Sequence, residues 1–468
     1  LIKIDAEIAG LKEKFAKEQY KVELKNRTKG QKAIDFLIEV WGLTRALRAT
    51  GEFSFVLIQN WVNTISHPIT SLRAIKTAFG HFFSEKKHED FMNHLRAQDY
   101  YSRARASKLA ISETDVKLTA REEMFIGSYG NKLWDLLGYP LYPWKSAYET
   151  WKSVNPLKAF ERAGTGFLNT IRTTRYIESE EMLRLQGRNF QEHPEDYKNA
   201  ADVINTFTGR ASLGAFDRIA KPLAIIFFSP RNWASIIKQA TPYAFYHFGK
   251  MSQKDGKVSV AQKMAMSDYL VAIGTTTAIV MMVDAMGGDD DEITVEKDPR
   301  SSDFMKIKIG NTRIDPWGGR QSMIVLQARL LMNSIKKESG QIQKLGQAQT
   351  STGVELIGRI AKNKLSPSSS LAFKFLGKKT KIINGVEVWV DDYGNELYPD
   401  PESNLYPIYA ETIKELYAEQ PQMLAHLITF MSFWGLGTQT YDPQEMKRKK
   451  YEYYQRVYDE IEADKGND

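Results

Sequence analysis

The chain of 468 residues is long enough for about two to four domains and can bury a core without covalent staples. Its 42% hydrophobic and 12% aromatic content excludes disorder, and the absence of cysteine excludes disulfides, thiolate metal sites, cysteine nucleophiles and iron–sulfur clusters. The net charge is +7, and residues 1–110 hold 19 Lys and Arg against 12 Asp and Glu, a surplus equal to that whole charge. Such a basic quarter suits nucleic acid or an anionic surface, while its interleaved Lys and Glu equally suit an ordinary solvated helix. The sequence opens on Leu1 and runs straight into a charged periodic stretch, which predicts a segment of a longer polypeptide.

In chain order, apolar residues at Ile4, Ile8, Leu11, Phe15 and Val22 predict an amphipathic helix over 1–28. Two buried helices follow, one from Lys32 to Leu47 and one from Phe53 to Ile65, separated at Gly51. A further helical pattern runs from Ile69 to Leu95 and leads into a polar, basic stretch. Residues 111–155 lose periodicity and gain Gly and Pro, so they read as an irregular connector. Asn155 and Pro156 then have the chemistry of an N-cap and first helical residue for a helix to Leu185. Pro194 opens another helix, which Gly209 closes. After the Ser229–Pro230 break, RNWASIIKQATPYAFYHF predicts one aromatic-rich amphipathic helix.

From Gly287 the composition turns acidic and turn-rich. Two β-hairpins are predicted there, at about 304–315 around Gly310-Asn311 and at about 380–398 around Asn384-Gly385. Helices are expected from Arg320 to Lys337 and from Val354 to Phe375, and a charged helix ends the chain. The predicted fold is therefore mainly α, multi-helix, elongated or bundle-like, with two small hairpins. Its regions are 1–110, a basic helical part; 111–155, the connector; 156–286, helical with an apolar helix; 287–442, mixed; and 443–468, the terminal helix.

Chemistry is hard to find in these residues. Gly287-Gly288 and Gly318-Gly319 lack the spacing and the lysine of a phosphate loop, so they read as turns. No two of the seven histidines are four residues apart around a glutamate, and His81, His88 and His94 are expected on a solvated helix surface. The run Asp289, Asp290, Asp291, Glu292 lacks alternating ligand spacing and reads as an exposed loop. No catalytic residue, metal site or cofactor is expected, although carboxylates of a cell-wall hydrolase need only meet in space.

Two kinds of contact residue stand out instead. Arg96, Arg103, Arg105 and Lys108, and then Lys447, Arg448, Lys449 and Lys450, lie among aromatics and are candidates for backbone-directed, salt-sensitive nucleic-acid contact. Trp233, Tyr243, Phe245, Tyr246 and Phe248 read either as core or as a membrane or oligomer contact. The most apolar stretch, Tyr269 to Val283, is bounded by Asp268 and Asp284; as a 15-residue run it is too short to span a bilayer, and a buried core helix is expected. Arg231 and Arg300, each beside a proline turn, read as fold determinants or as phosphate anchors.

Taken as a set, RALRATGEFSFVLIQNWVNTISHP from residue 45, REEMF at 121, FLNTIRTTRY from 167, INTFTGRASLG from 204 and FFSPRNWAS from 227 form a recognisable series. It continues with DPRSSDFMKIKIGNTRIDPWGG from 298, KLSPSSSLAFKFLG from 364 and WGLGTQTYD from 434. The series resembles a conserved region of tailed-phage large polyvalent proteins, of the internal virion or DNA-ejection type, over residues 30–442. The resemblance implies a non-enzymatic structural role in the particle, in the head interior or tail, with any enzymatic module elsewhere in the parent chain. It also implies self-assembly, portal or tail components as partners, and delivery with phage DNA to the host envelope and its membrane. A DNA-associated protein injected with the genome is the alternative reading.

Overall fold

The computed structural model describes residues 52–112, 155–220, 229–251, 257–287, 293–337, 339–347, 352–362 and 420–440, with strands between 379 and 397 and some isolated residues. The helices expected over 1–28 and 32–47, most of the connector and of the terminal helix, and the run Asp289 to Glu292 lie outside the described residues. So does most of the expected helix beyond Lys362.

The fold is mainly α. A one-turn π-helix, Phe55–Gln59, and α1 (Trp61–Ser66) occupy the stretch expected as one buried helix, and Phe55, Val56, Trp61 and Val62 are buried. Pro68 opens α2 (Pro68–Phe83), as suits a residue without an amide to leave unpaired. The pattern expected to run unbroken to Leu95 stops at Ser84, whose hydroxyl accepts the Lys87 amide at 3.2 Å and caps α3 (Glu85–Arg96). A short helix, α4 (Tyr101–Ala106), follows. The long helix α5 (Pro156–Leu185) starts where the sequence indicates, with Asn155 Oδ1 accepting the Lys158 amide at 3.3 Å. The next, α6 (Pro194–Phe207), is closed by Gly209 at a φ of +75°.

The expected aromatic helix after Pro230 is two helices, α7 (Pro230–Gln239) and α8 (Tyr243–Gly249), because Pro242 has no amide with which to continue the ladder. Then comes α9 (Val260–Met286), capped by Ser259, whose hydroxyl accepts the Gln262 amide at 3.0 Å. Among these, α2 packs along α5, and α9 packs against α1 and α6.

The first predicted hairpin is part of a larger sheet. Strands β1 (Ile293–Val295), β2 (Ile307–Ile309) and β3 (Thr312–Asp315) form an antiparallel meander with Ile307 opposite Ile314. A helix, α10 (Gln321–Leu331), ends six residues before the expected Lys337. Asn333, at a φ of +46°, turns the chain into an unforeseen hairpin of β4 (Ser334–Lys336) and β5 (Ile342–Lys344). After α11 (Gly353–Lys362), the second predicted hairpin forms from β6 (Lys379–Ile383) and β7 (Val386–Val390), with β8 (Glu396–Leu397) added beside it. Finally α12 (Gln422–Phe433) leads into β9 (Gly437–Thr440), which pairs with β3 and completes a sheet of order β1-β2-β3-β9.

One apolar core joins Trp61, Phe207, Phe248, Tyr269, Ile314 and Ile428, so three stretches far apart in sequence fold together. Polar ties cross it. Arg320 is buried; its Nε and Nη2 donate to Gln239 Oε1 at 3.0 and 2.7 Å, and its Nη1 donates to the carbonyls of Ile58 at 3.1 Å and Gly318 at 2.8 Å. Its guanidinium carbon sits 4.9 Å from the Trp61 ring centroid. Burial pulls its pKa down to about 10, so it keeps its charge at neutral pH. Gly318 makes the approach feasible: its φ is +56°, and a Cβ there would meet the Leu57 carbonyl oxygen at 2.4 Å.

The histidines depart from expectation. His94 is exposed, but His81 and His88 are buried with their Nδ1 atoms 3.2 Å apart. Gly166 on α5 leaves the room, since a Cβ there would lie 2.0 Å from His81 Nδ1. Burial, together with the nearby Arg162 charge, lowers the His81 pKa to about 4. The folded form therefore binds this proton less readily than the unfolded chain, so the stability that His81 contributes is present above pH 6.5 and lost as pH falls towards 4. Urea denaturation across that window should show a loss of up to about 3 kcal/mol, and His81→Asn should flatten the slope. An unchanged slope in the variant would place the acid sensitivity elsewhere.

Candidate functional site: the outward side of an apolar helix

The long apolar helix α9 is more exposed than a core helix. It runs for 27 residues, past both Asp268 and Asp284, so by length and composition it can cross a membrane, contrary to the expectation from the 15-residue run. Only 22% of its apolar window is buried, which also corrects the expected core helix. The inward side holds Met264, Ala265, Asp268, Tyr269, Ala272, Thr276 and Val280. The opposite side shows Leu270, Val271 and Met281, and towards the C-terminal end Met282 and Met286 are also exposed, at 57% and 76%. Gly274 on the same side has open space around it.

The inward facing of Asp268 sets this arrangement. Its carboxylate accepts Arg175 Nη2 at 2.5 Å and lies 2.9 Å from His67 Nε2, and both Asp268 and Arg175 are buried. Arg175 also pairs with Glu178 one turn further along α5. One residue on, the Tyr269 hydroxyl donates to the Gln239 carbonyl, and burial pushes that phenol up to about 12. A helix has one azimuth. Once Asp268 and Tyr269 are tied inside, residues half a turn away must face out.

The neighbouring aromatic helix extends this outward side. Of the five aromatics noted in the sequence, Phe248 is fully buried and Trp233 is half-buried against Phe227, with ring centroids 6.1 Å apart. Tyr243, Phe245 and Tyr246 are exposed, and the Phe245 ring lies 5.9 Å from that of Tyr269. Lys250 Nζ sits 4.1 Å over the Tyr246 ring. So three of the five are exposed, one is half-buried and one is fully buried.

The basic candidates divide as well. Arg103 grips Glu180 through Nε at 2.6 Å and Nη2 at 3.1 Å, which raises its pKa and commits its fork internally. Arg96 is half-buried and donates to Asn93 Oδ1 at 3.4 Å, while Arg105, Lys108 and Lys447 are exposed. Arg448, Lys449 and Lys450 lie outside the described residues. The phosphate-anchor reading of Arg231 and Arg300 is not favoured: Arg231 pairs with Asp217 and Arg300 with Asp298, each at 2.7 Å. Among the described residues no three His, Asp or Glu side chains gather into a metal-binding group.

The functional residues that sequence reasoning missed are Arg175 and His67. The available signal was Asp268 itself, an isolated carboxylate at the edge of an apolar run, which calls for a buried cation when the run is helical. Asp268→Ala should destabilise the protein by about 3 kcal/mol, because it leaves the buried Arg175 charge with Glu178 as its one remaining carboxylate among the described residues. Thermal unfolding measures the loss, and hydrogen exchange should accelerate over α9 first. A variant as stable as the parent would show that this pair does not hold the helix.

No protein-family model, curated protein or solved structure matches this chain.

Proposed function

We propose that this chain is a non-enzymatic structural segment of a tailed-phage internal virion protein, which assembles through the outward side of α9 and helps deliver the genome into the host. The observation that carries the reading is the exposure of α9, with Asp268 inside and Leu270, Val271, Met281, Met282 and Met286 exposed. From Leu270 to Met281 that side is uncharged and apolar, and such a stretch needs a partner as apolar as itself. Small residues at Gly274 and Ala278 on that side let a second helix approach closely. Further copies of the chain, and portal or tail components of the particle, are the partners this reading calls for. The phage setting rests on the series of phrases in the sequence, and the assembly role rests on α9.

Light scattering and electron microscopy of the purified chain test the reading. A symmetric oligomer is expected, and Met282→Lys should weaken its self-association about thirtyfold, or about 2 kcal/mol, with no fall in thermal stability. A protein that stays monomeric at all concentrations, or phage particles that lack it, would overturn the proposal. A role bound to the genome is the second reading, favoured by exposed Arg105 and Lys108. It requires retention of duplex or single-stranded DNA on a filter at low salt that fades as salt rises.

A further inference from the structure

A second exposed apolar surface lies away from the α9 side, where α2 meets the C-terminal end of α12. Trp434, just past α12, joins the two helices: its ring centroid is 5.9 Å from Phe79 on α2 and 6.3 Å from Phe430 on α12. Beyond that junction Leu72 and Phe83 stand out from α2 and Leu427 from α12; Phe83 is 79% and Phe430 60% exposed. A rigid base supports them, since Phe53 is buried beneath with its ring 5.2 Å from Phe79 and 5.5 Å from Trp434.

The charges on the two helices that form this surface have one sign. Neither PITSLRAIKTAFGHFF nor QMLAHLITFMSF contains an acidic residue, and Arg73 and Lys76 are exposed on the same side of α2 as Leu72 and Phe79. Among the described residues neither cation has a carboxylate partner. Just past Phe83, Glu85 is outweighed by exposed Lys86 and Lys87. Aromatic rings in front of unpaired cations complement a surface with an apolar interior beneath anionic groups. A second copy is the poorer match, because a two-fold contact would set Arg73 and Lys76 of each chain near their own kind.

We propose that the surface formed by α2 and α12 docks this protein peripherally on an anionic lipid bilayer. Phe83, Phe430 and Trp434 enter the headgroup region, and Arg73 and Lys76 meet the phosphates. This is a different surface from the α9 side and does not depend on the assembly reading.

Flotation of the full chain with vesicles tests it, comparing phosphatidylcholine alone with phosphatidylcholine mixed with phosphatidylglycerol. Binding to the mixed vesicles is expected at low salt and should fall as salt rises. Arg73→Glu with Lys76→Glu should weaken that binding at least about tenfold. Phe83→Ser with Phe430→Ser should abolish it without lowering the melting temperature, since both rings are exposed. Met282→Lys on α9 should leave flotation unchanged, whatever it does to self-association. The proposal is overturned by absence of flotation at low salt, or by double variants that float like the parent. Flotation lost in Met282→Lys would also overturn it, assigning lipid to α9. A concentration-dependent dimer lost in the phenylalanine variant, in place of flotation, would assign the surface to a second copy.

Discussion

The arrangement of this protein depends on how few buried guanidinium groups are satisfied, and by what. Arg320, Arg172 and Arg175 are all nearly inaccessible to water, where an unmatched charge would cost several kcal/mol. Arg172 reaches the carbonyls of Ala110 and Thr208 and the hydroxyls of Ser112 and Thr208, and Arg320 reaches two carbonyls and the Gln239 amide oxygen. Arg175 takes carboxylates, from Glu178 and Asp268. Carbonyl acceptors do something that a carboxylate partner does not: each fixes a length of backbone. The Arg320 contact with Ile58 spans 262 residues of sequence, and the Arg172 contact with Ala110 spans 62. These ties hold the turn before α1, the end of α7 and the turn after β3 at one point.

Rigid internal ties explain why apolar surface is left outside. If hydrophobic burial alone positioned the helices, α9 would be covered on every side, since it is apolar nearly all round and each methylene moved from water gains about 0.8 kcal/mol. Instead the azimuth of α9 is set by Asp268 and Tyr269, which bond to α5, to the junction of α1 and α2, and to the end of α7. The polar contacts win because breaking them strands a buried cation, a larger penalty than leaving a few methionines exposed. The side that α9 leaves exposed is thus set by the internal network, and it is an apolar surface that needs no unfolding to become available.

Much of the helical layout was legible because its signals are local. Asn155 with Pro156, Pro194 with Gly209, and Gly310-Asn311 each carry their own capping or turn chemistry within a few residues, and each marks a boundary in the structure. What stayed hidden is non-local. The pairing of β3 with β9 joins residues more than a hundred positions apart, with Thr312 opposite Thr440, and no local pattern announces it. The true length of α9 was masked by treating two aspartates as ends, when one of them is an interior residue with a buried partner. His81 and His88 read as surface beside so many Lys and Glu, yet the cavity opposite Gly166 takes them in.

The two exposed surfaces differ in kind, and the difference follows from residue chemistry. On α9 the exposed side chains are aliphatic or small, uncharged for more than three turns, and flat enough for close helix contact. On α2 and α12 the aliphatic side chains are joined by the rings of Phe79, Phe83 and Phe430 and by the cations Arg73 and Lys76, a mixture well matched to a boundary between oil and anionic headgroups. A protein that must both assemble and meet a membrane cannot use one surface for both without competition between copies and lipid. Separating an aliphatic side from an aromatic, basic one removes that competition. Because the second surface rests on the buried ring of Phe53 in the same folded body, assembly through α9 would present every copy's aromatic surface in one defined direction.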